Sequence, residues 1–245
     1  MSEPNKVVVI TGAASGIGAA TAELFAKENY QLVLLDISYK GNTLDNSSAR
    51  SEVKLDVSKA EEVEKVLLDI SKTYGRIDVI VNNAGVGTSQ FAKTEDHEID
   101  DWHRVISINQ SGVFYCMKYV LKLMSKQGFG NIVNVASLAG VKASGYNLAY
   151  SASKFAVVGM TKSAALEYGR RNIRINCVCP GYTESPLLDS LFSIKPKLRD
   201  RFLQSIPMDR YGQPDEIAEA ILWLSSDKSK FITGQSIILD GGLSL

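Results

Sequence analysis

The chain has 245 residues, which is enough for one large domain or at most two. Its 27 basic and 27 acidic residues cancel, which argues against a nucleic acid or an anionic membrane as a partner held by bulk charge. Apolar residues make up 45%, and no apolar run approaches the length of a membrane span. Residues 1–6 are polar and leave no room for a signal peptide before the first apolar run, so we expect a cytoplasmic protein.

Short apolar runs alternate with helical patterns along the whole chain. The apolar runs predict strands at residues 7–10, 32–35, 53–55, 79–81, 132–135, 173–178 and 237–239. The helical patterns lie near residues 16–28, 60–73, 101–125, 150–168 and 214–226. Several strands are apolar throughout, as expected when a parallel sheet is covered on both faces. This order predicts an α/β fold of the Rossmann type: one domain over residues 1–245, with a doubly wound, seven-stranded parallel sheet.

Local signals refine two helix starts and one irregular segment. Ser58 and Glu61 have the spacing of a capping box before the second helix, and Pro214 suits the first turn of the last one. Turn-forming residues dominate the segment between Asp36 and Asp56, where we expect a loop or a very short helix. They are Gly41, Asn42, Thr43, Asp45, Asn46, Ser47 and Ser48.

A glycine-rich turn follows the first predicted strand directly. Glycines 12, 16 and 18 suit a tight turn and a close approach of the backbone to a pyrophosphate. The helix that follows points its N–H groups toward such an anion. This placement between a strand and a helix favours dinucleotide binding over a purely structural turn.

Asp36 ends the second predicted strand, 18 residues after Gly18. A carboxylate there can accept hydrogen bonds from the ribose hydroxyls and repels a 2′-phosphate. A site that prefers NADP needs a cation nearby, but positions 15 and 37 hold Ser and Ile, and Lys40 comes too late. The sequence therefore predicts NAD(H) as the cofactor.

The cysteines and histidines do not indicate a metal site. Cys116, Cys177 and Cys179 form no disulfide framework and are expected to be buried thiols. His97 and His103 lie in or beside an acidic stretch, residues 95–101, which we interpret as a solvated approach to a helix.

Tyr150 and Lys154 are four residues apart and therefore share one face of a helix. A tyrosine has a reference pKa near 10, and a neighbouring ammonium favours its phenolate form and lowers that pKa. The pair is thus a candidate general acid and base. Alone, the spacing is weak, because most such pairs are solvated helix faces.

Taken together, the motifs make the chain resemble a short-chain dehydrogenase/reductase of the compact oxidoreductase branch, over essentially its whole length. The resemblance rests on residues 11–18, Asp56 with Val57, residues 82–85, Asn109, Ser137, Tyr150 with Lys154, Pro180 with Gly181, and residues 233–235 and 240–242. Each motif is modest evidence, but their order and spacing together are specific.

The resemblance implies roles for four residues. Tyr150 would donate a proton in reduction and accept one in oxidation, and Lys154 would hold the nicotinamide ribose and lower the Tyr150 pKa. Ser137 would bond the substrate oxygen and stabilise its developing charge. Asn109 would hold a water that relays protons from Lys154. Without the resemblance, we would interpret Asn109 as a solvent-facing helix residue and Ser137 as a turn residue at the end of a strand.

The resemblance also implies how the cofactor is bound. Asn83, Ala84 and Gly85 would line the adenosine ribose side and hold the fourth strand in place, and Asp56 would meet the adenine amino group or cap a helix near Ser58. Thr183 and Ser185 would fix the carboxamide, although the family usually has an aliphatic residue and Thr there. The implied cofactor contacts are Gly12, Ser15, Gly16, Ile17, Gly18, Asp36, Ile37, Asp56, Val57, Asn83, Ala84, Gly85, Tyr150, Lys154, Pro180, Gly181, Thr183 and Ser185.

The substrate is less defined than the cofactor. Ser137, Tyr150 and Tyr182 are the expected contacts, with specificity set by residues 139–147 and a variable loop at about 186–208. The apolar and aromatic side chains there suggest a small or medium carbonyl or secondary alcohol, and ordinary packing explains any one of them equally well. They are Tyr146, Tyr182, Leu187, Leu188, Leu191 and Phe192.

Three further expectations stay open. A basic cluster, Lys195, Lys197, Arg199 and Arg201, is either a solvated helix face or a docking site for a phosphorylated or acyl-carrier substrate. The alternatives to a small-carbonyl enzyme are a 3-oxoacyl-carrier-protein reductase, disfavoured by Asp36, and a non-catalytic NAD-binding module. The family resemblance implies a homotetramer or homodimer, with small residues such as Ala152, Ala156, Gly159, Ser163 and Ala164 allowing close helix packing.

Overall fold

The computed structural model describes residues 6–41, 44–45 and 47–245, and within them seven parallel strands form one sheet in the order β3-β2-β1-β4-β5-β6-β7. The strands are β1 (Val7–Thr11), β2 (Gln31–Asp36), β3 (Arg50–Lys54), β4 (Val79–Asn82), β5 (Gly130–Val135), β6 (Ile173–Pro180) and β7 (Ser236–Leu239). The predicted seven-stranded, doubly wound Rossmann sheet is confirmed. β1 and β4 are parallel neighbours although β2 and β3 lie between them in sequence, so the order in which strands are added to the sheet reverses at this point.

Eight α-helices occur in the described part of the chain. They are α1 (Gly16–Lys27), α2 (Ala60–Tyr74), α3 (Ile99–Ile106), α4 (Gly112–Gln127), α5 (Leu148–Tyr168), α6 (Pro186–Ile194), α7 (Lys197–Gln204) and α8 (Pro214–Ser225). Helices α2, α4 and α5 pack on one face of the sheet, and α1 and α8 on the other. The central strands are consequently buried on both faces, which explains their continuous apolar sequence. In the described part of the chain, no helix has both the length and the apolar character needed to span a bilayer.

One predicted helix is interrupted. The pattern over residues 101–125 predicts a single helix, whereas the structure has α3, a π-helical turn at Ser107–Ser111, and then α4. The extra residue of a π-turn changes the direction of the side chains that follow it. The hydrophobic period on both sides is helical, so the sequence pattern does not reveal this interruption.

One strand begins earlier than expected, and one further prediction was wrong at the start of the chain. The strand predicted at residues 53–55 is Arg50–Lys54, an edge strand with alternating burial that pairs with β2, and the described residues between β2 and Arg50 are loop. Residues 42, 43 and 46 lie outside the described residues, as do residues 1–5. Ser58 is not the cap of α2, which begins after Lys59; its hydroxyl instead donates to Asp56 Oδ1 at 2.7 Å. Pro214 does occupy the first turn of α8.

Residues 186–208, predicted as a variable loop, form helices α6 and α7, which we call the lid. The lid has an apolar cluster of its own, separate from the two clusters that sandwich the sheet. Ser185 caps α6 by accepting a hydrogen bond from the Leu188 N–H at 3.3 Å, and Pro186 occupies its first turn. Turn chemistry rather than hydrophobic period therefore starts the lid.

Candidate active site

The predicted functional residues gather at the carboxyl edge of the sheet, where β1, β4, β5 and β6 end. Gly12, Asn83, Ser137 and Gly181 each lie within two residues of the end of one of these strands. In an open parallel sheet this edge, at the point where the strand order reverses, is where ligands bind. The site is thus built by loops that a rigid sheet positions.

At two positions of the glycine turn, the backbone lies so close to neighbouring atoms that only glycine fits. Gly12 has a positive φ of 63°, and an added Cβ there would lie 2.7 Å from Ala84 Cα. A Cβ on Gly18 would lie 2.1 Å from the Gly12 carbonyl oxygen. Gly16 and Ile17 begin α1, and Ser15, its N-cap, makes no side-chain capping bond. Bare backbone and free helix N–H groups therefore face the cleft, which fits a pyrophosphate.

Asn83 joins the end of β4 to this turn. Its Nδ2 donates to the carbonyl oxygens of Thr11 and Gly12 at 3.1 and 2.9 Å. The Thr11 hydroxyl oxygen accepts from the N–H groups of Asn83 and Ala84 at 3.0 and 3.1 Å. These bonds cross between two neighbouring strands, so they fix the glycine turn against the loop that begins at Gly85.

Asp36 faces the glycine turn from the end of β2. Its Oδ2 accepts from the Ala14 N–H at 3.1 Å, and its Oδ1 accepts from the N–H and hydroxyl of Ser38 at 2.9 and 2.7 Å. A carboxylate can accept about four hydrogen bonds, so capacity remains for a ribose hydroxyl. The Ile37 side chain is exposed beside it. No ion pair to Asp36 occurs among the described residues.

Asp56 and Val57 lie after β3 and differ in which of their atoms are available to a cofactor. Asp56 Oδ1 accepts from the Ser58 N–H and hydroxyl, so this carboxylate does shape the approach to α2. Val57 is buried, and a Cβ on Gly112 would lie 2.9 Å from its Cγ2. Close packing of Val57 against the start of α4 leaves only its backbone to contact a cofactor.

Lys154 is buried on α5 and donates from Nζ to the Val135 carbonyl oxygen at 2.9 Å. Its Nζ lies 5.6 Å from the centre of the Tyr150 ring, as the four-residue spacing predicts. A Cβ on Gly85 would lie 3.5 Å from the same nitrogen. Burial lowers the pKa of Lys154 to about 8, although the Cys179 and Cys177 thiols partly oppose the shift.

The expected lowering of the Tyr150 pKa is not seen in the cofactor-free chain. Burial raises the pKa of Tyr150 above 10, and a hydrogen bond with Ser137 only partly offsets it. The physical reason is desolvation of the phenolate, which outweighs the opposing contribution of Ser137. The Ser137 hydroxyl accepts from the Ala139 N–H at 3.1 Å and lies near enough to Tyr150 to lower its pKa, so the two groups expected to meet the substrate oxygen are neighbours.

Asn109 is fully buried in the π-turn rather than facing solvent. Its Oδ1 accepts from the Val86 N–H at 2.8 Å, and its Nδ2 donates to the Val86 carbonyl and the Ser153 hydroxyl at 2.9 and 3.2 Å. Ser153 in turn donates to the Tyr150 carbonyl at 2.7 Å. Both N–H donors and one lone pair of the Asn109 amide are thus engaged by protein, which leaves one lone pair of Oδ1 for the predicted water.

The segment after β6 has the free backbone groups that a carboxamide needs. A Cβ on Gly181 would lie 2.7 Å from Asp240 Cβ, so only glycine fits there beside Pro180. Thr183 is buried, and among the described residues no hydrogen bond engages its N–H. The Ser185 hydroxyl donates to the Thr183 carbonyl at 3.2 Å while it caps α6. Thr183 and Ser185 therefore link the cleft to the lid.

Tyr182, expected to contact the substrate, belongs to the apolar cluster of the lid. Its ring stacks on Phe202 with centroids 4.2 Å apart and planes inclined by 5°. Leu188, Leu191 and Phe192 pack in the same cluster. Packing within the lid explains the position of these side chains, and contact between Tyr182 and a substrate stays a prediction. Tyr146, with a positive φ of 61°, is exposed and remains available at the rim.

The cysteines are buried thiols, as predicted, and Cys177 donates to the Ser236 hydroxyl at 3.2 Å. No cluster of metal-binding side chains occurs among the described residues.

Two residues that border the site were not identified from the sequence. Asp101 was assigned to a solvated approach to a helix and Arg104 was not singled out, but Asp101 is buried and the pair bonds the loop after Gly85. An Asp and Arg three residues apart on a helix was the available signal.

Comparison with known proteins identifies the family. Residues 12–244 match the family model described as enoyl-(acyl carrier protein) reductase. A relative from Thermotoga maritima, a 3-oxoacyl-[acyl-carrier-protein] reductase, is 42% identical over 97% of each chain. The chain belongs to the short-chain dehydrogenase/reductase family. It is accordingly an oxidoreductase of this family, whose relatives here act on CH–OH groups.

Solved structures agree with this assignment. The crystal structure of levodione reductase superposes with a TM-score of 0.92 at 36% identity, covering 98% of this chain and 97% of that one. ElxO, solved with NADP bound, gives 0.90 at 32% identity, covering 98% and 99%. These similarities confirm the fold over the whole described chain, and they extend to a protein that binds NADP.

Proposed function

We propose that the chain transfers a hydride between NAD(H) and a small or medium carbonyl or secondary alcohol. The observation that carries this proposal is the convergence of Tyr150, Ser137 and Lys154 at the carboxyl edge of the sheet, the edge that also holds the glycine turn. A bound nicotinamide cofactor supplies or accepts the hydride. Everything else in the reaction is positioning and proton transfer, and these side chains are placed to perform both.

In reduction, the Tyr150 hydroxyl donates its proton to the substrate oxygen as that oxygen gains negative charge. Ser137 donates a second hydrogen bond to the same oxygen. Burial raises the pKa of Tyr150 and keeps the phenol protonated in the free chain, which suits a proton donor. Lys154, held at Val135, would bind a ribose hydroxyl of the cofactor and add positive charge beside the phenol. In oxidation, the same groups act in reverse.

The preference for NAD(H) rests on Asp36. Its carboxylate points at the turn beside Ala14 and has no cationic partner among the described residues, so a 2′-phosphate there meets a negative charge. ElxO, a similar chain, has been solved with NADP, so the family alone does not decide this question. Steady-state kcat/KM with NADH and with NADPH tests it. We expect NADH to be favoured, and Asp36→Ala to reduce the difference; a parent enzyme that prefers NADPH would refute the assignment.

A 3-oxoacyl-carrier-protein reductase is the second candidate, supported by the name of the Thermotoga maritima relative. Its discriminating feature is the basic cluster of the lid. Lys195 donates to the Phe91 carbonyl at 3.3 Å and Arg199 lies over the Phe192 ring, so two of the four cations have intramolecular contacts. A panel of short ketones, cyclic ketones and 3-oxoacyl thioesters, read by nicotinamide absorbance, separates the candidates. Thioesters as the best substrates by kcat/KM would favour the reductase.

A non-catalytic NAD-binding module would not need the arrangement around Tyr150. A ligand-binding platform requires the glycine turn and Asp36, but it does not require Lys154 at Val135 or Ser137 beside Tyr150. Calorimetric titration with NADH, together with the substrate panel, tests this. Tight cofactor binding without turnover of any carbonyl or alcohol would support the module and contradict the enzyme.

We further propose that the chain assembles into a homodimer or homotetramer. Phe155, Gly159, Ser163 and Leu166 form an exposed, mostly small or apolar row on α5, whereas Ala164, included in the expected row, is buried. A second exposed apolar group lies around α8, β7 and the C-terminus: Trp223, Phe231, Ile238 and Leu245. Light scattering tests the proposal, and a monomer at micromolar concentration would refute it.

A further inference from the structure

The loop over residues 85–89, which follows β4, touches three parts of the site. A Cβ on Gly85 would lie 3.5 Å from Lys154 Nζ, and a Cβ on Gly87 would lie 2.9 Å from Leu187 Cδ1 of the lid. The Thr88 hydroxyl donates to Asn147 Oδ1 at 2.9 Å, just before α5. The loop therefore lies between the catalytic helix and the lid, and a shift in its backbone moves the surface on which the lid closes.

Side chains from α3 and the π-turn hold this loop by its backbone. Asn109 bonds both the N–H and the carbonyl of Val86. Arg104 donates from Nη2 to the Gly87 carbonyl at 2.7 Å, and Asp101 Oδ2 accepts from the Ser89 N–H at 2.9 Å. The backbone of three of the five loop residues is thus held by side chains from one continuous helical segment. The outer two depend wholly on Asp101 and Arg104.

Asp101 and Arg104 act as one unit. Asp101 is only 6% exposed, and its Oδ1 accepts from Arg104 Nε and Nη2 at 3.1 and 2.6 Å. Burial opposes ionisation, but hydrogen bonds from Arg104 and Ser89 outweigh it and hold the pKa of Asp101 below its usual value. A buried carboxylate that loses its partner is strongly destabilised. Removal of either charge consequently releases both ends of the bonded loop.

We propose that Asp101 and Arg104 are positioning residues for the hydride-transfer reaction: they set the place of Gly87 and Ser89, on which Leu187 closes over the substrate. This inference rests on the proposed function. Neither residue contacts the glycine turn, so loss of the pair acts on substrate turnover and leaves cofactor affinity nearly unchanged. A misplacement of about 1 Å near a reacting centre can cost roughly 100-fold in rate.

The chain offers a matched control at the opposite edge of the sheet. Asp78 is also buried, also pairs with a nearby arginine, Arg76, and also accepts a backbone N–H, from Val7 at 2.8 Å. Arg104→Gln and Arg76→Gln therefore remove equivalent charges. Both should lower the Tm. Only Arg104→Gln should lower kcat/KM for the best carbonyl of the substrate panel, by about 10- to 100-fold, with the Kd for NADH within about twofold of the parent.

Two further measurements separate positioning from general damage. Hydrogen exchange at the Ser89 amide should accelerate in Arg104→Gln and not in Arg76→Gln. The kcat/KM losses of Arg104→Gln and Leu187→Ala should be less than additive when combined, because both act through the contact of Gly87 with the lid. If Arg104→Gln fails to fold, Asp101→Asn keeps the shape of the carboxylate and removes its charge, and the same losses are expected.

The outcomes distinguish the two proposals. An active parent whose kcat/KM is unchanged by Arg104→Gln, or is lowered equally by Arg76→Gln, refutes the positioning role and leaves the proposed function intact. Strict additivity with Leu187→Ala refutes the route through the lid. A parent that binds NADH but turns over no carbonyl or alcohol refutes both proposals.

Discussion

The floor of the site and the lid are held by different forces. The floor comprises the carboxyl ends of β1, β4 and β5 with helices α4 and α5. There, Lys154, Asn83 and Asn109 each direct hydrogen bonds at specific backbone atoms. The lid, α6 and α7, is held mainly by rings and aliphatic side chains, among them the stacked pair Tyr182 and Phe202.

This difference indicates where chemistry and specificity lie. Hydrogen bonds are directional and fix atoms to within a few tenths of an ångström, which proton and hydride transfer require. Apolar contacts are non-directional and tolerate repacking as long as volume is kept. A fixed floor beneath an adaptable lid allows one reaction to serve substrates of different shape.

Loss of the Tyr150 hydroxyl should produce the largest effect on the floor. Tyr150→Phe removes the proton donor without changing ring packing, so kcat should fall by roughly 10²- to 10⁴-fold while the Kd for NADH stays within about twofold. Tyr168→Phe, at the other end of α5, is the control and should retain full activity. Parent-like kcat in Tyr150→Phe would mean that another group supplies the proton.

Gly18→Ala should disrupt the glycine turn, which is the part of the floor expected to bind the cofactor. The new Cβ would lie 2.1 Å from the Gly12 carbonyl oxygen, so the turn has to open. We expect the Kd for NADH to rise by about 100-fold, on the order of 3 kcal/mol. Gly169→Ala, whose Cβ would meet nothing within 4 Å, should leave the Kd unchanged. Calorimetry on both variants decides; equal affinities would show that the turn is not the pyrophosphate site.

The same contrast explains which features the sequence predicted. The floor could be predicted from the sequence because its parts have local sequence patterns. These are continuous apolar strands, glycines at fixed spacing, and Tyr150 with Lys154 on one helical face. Properties that depend on the surroundings of a side chain in the folded protein, such as its pKa, cannot be predicted from local sequence patterns. Whether burial or a neighbouring charge dominates at Tyr150 depends on residues distant in sequence, and here burial dominates.

The lid and the π-turn show a second limit of sequence patterns. Both halves of the 101–125 segment keep a helical period, so the pattern passes through the π-turn that buries Asn109. In the lid, an aromatic side chain such as Tyr182 suits a pocket wall or a small core equally well, and only the stack on Phe202 distinguishes them. Asp101 looked solvated because its partners, Arg104 and the Ser89 N–H, become neighbours only on folding.

Lys154 links the floor to the pH dependence of stability. Burial lowers its pKa from 10.5 to about 8, so between these values the unfolded chain holds a proton that the folded chain has released. The folded parent therefore gains stability from this group as the pH rises through that window. The Lys154→Met variant has no ammonium at this position and does not show this increase. The difference between its free energy of unfolding and that of the parent should therefore shift against the variant from pH 8 to 10.5, by up to roughly 3 kcal/mol.

Urea unfolding of the cofactor-free proteins at several pH values measures this difference. Contributions from other titrating groups largely cancel between variant and parent. Lys126→Met, at an exposed position on α4, serves as the control and should differ from the parent by a constant amount. A Lys154→Met difference that is equally flat would show that the buried ammonium is not destabilised, and that Lys154 is solvated more than its position at Val135 suggests.

Truncation of a side chain within the lid should have the smallest effect on kcat, and its effect on KM should depend on the size of the substrate. Phe202→Ala removes the ring stacked on Tyr182, a contact worth about 0.5–1.5 kcal/mol beyond its buried area, and loosens α7 against α6. Because the floor is untouched, KM for the carbonyl should rise several-fold, roughly two- to tenfold, with kcat and the Kd for NADH almost unchanged. Bulky ketones should lose less than small ones, since a looser lid accommodates them. A fall in kcat equal to that in kcat/KM would instead place Phe202 in the support of the catalytic groups, and the division between floor and lid would be wrong.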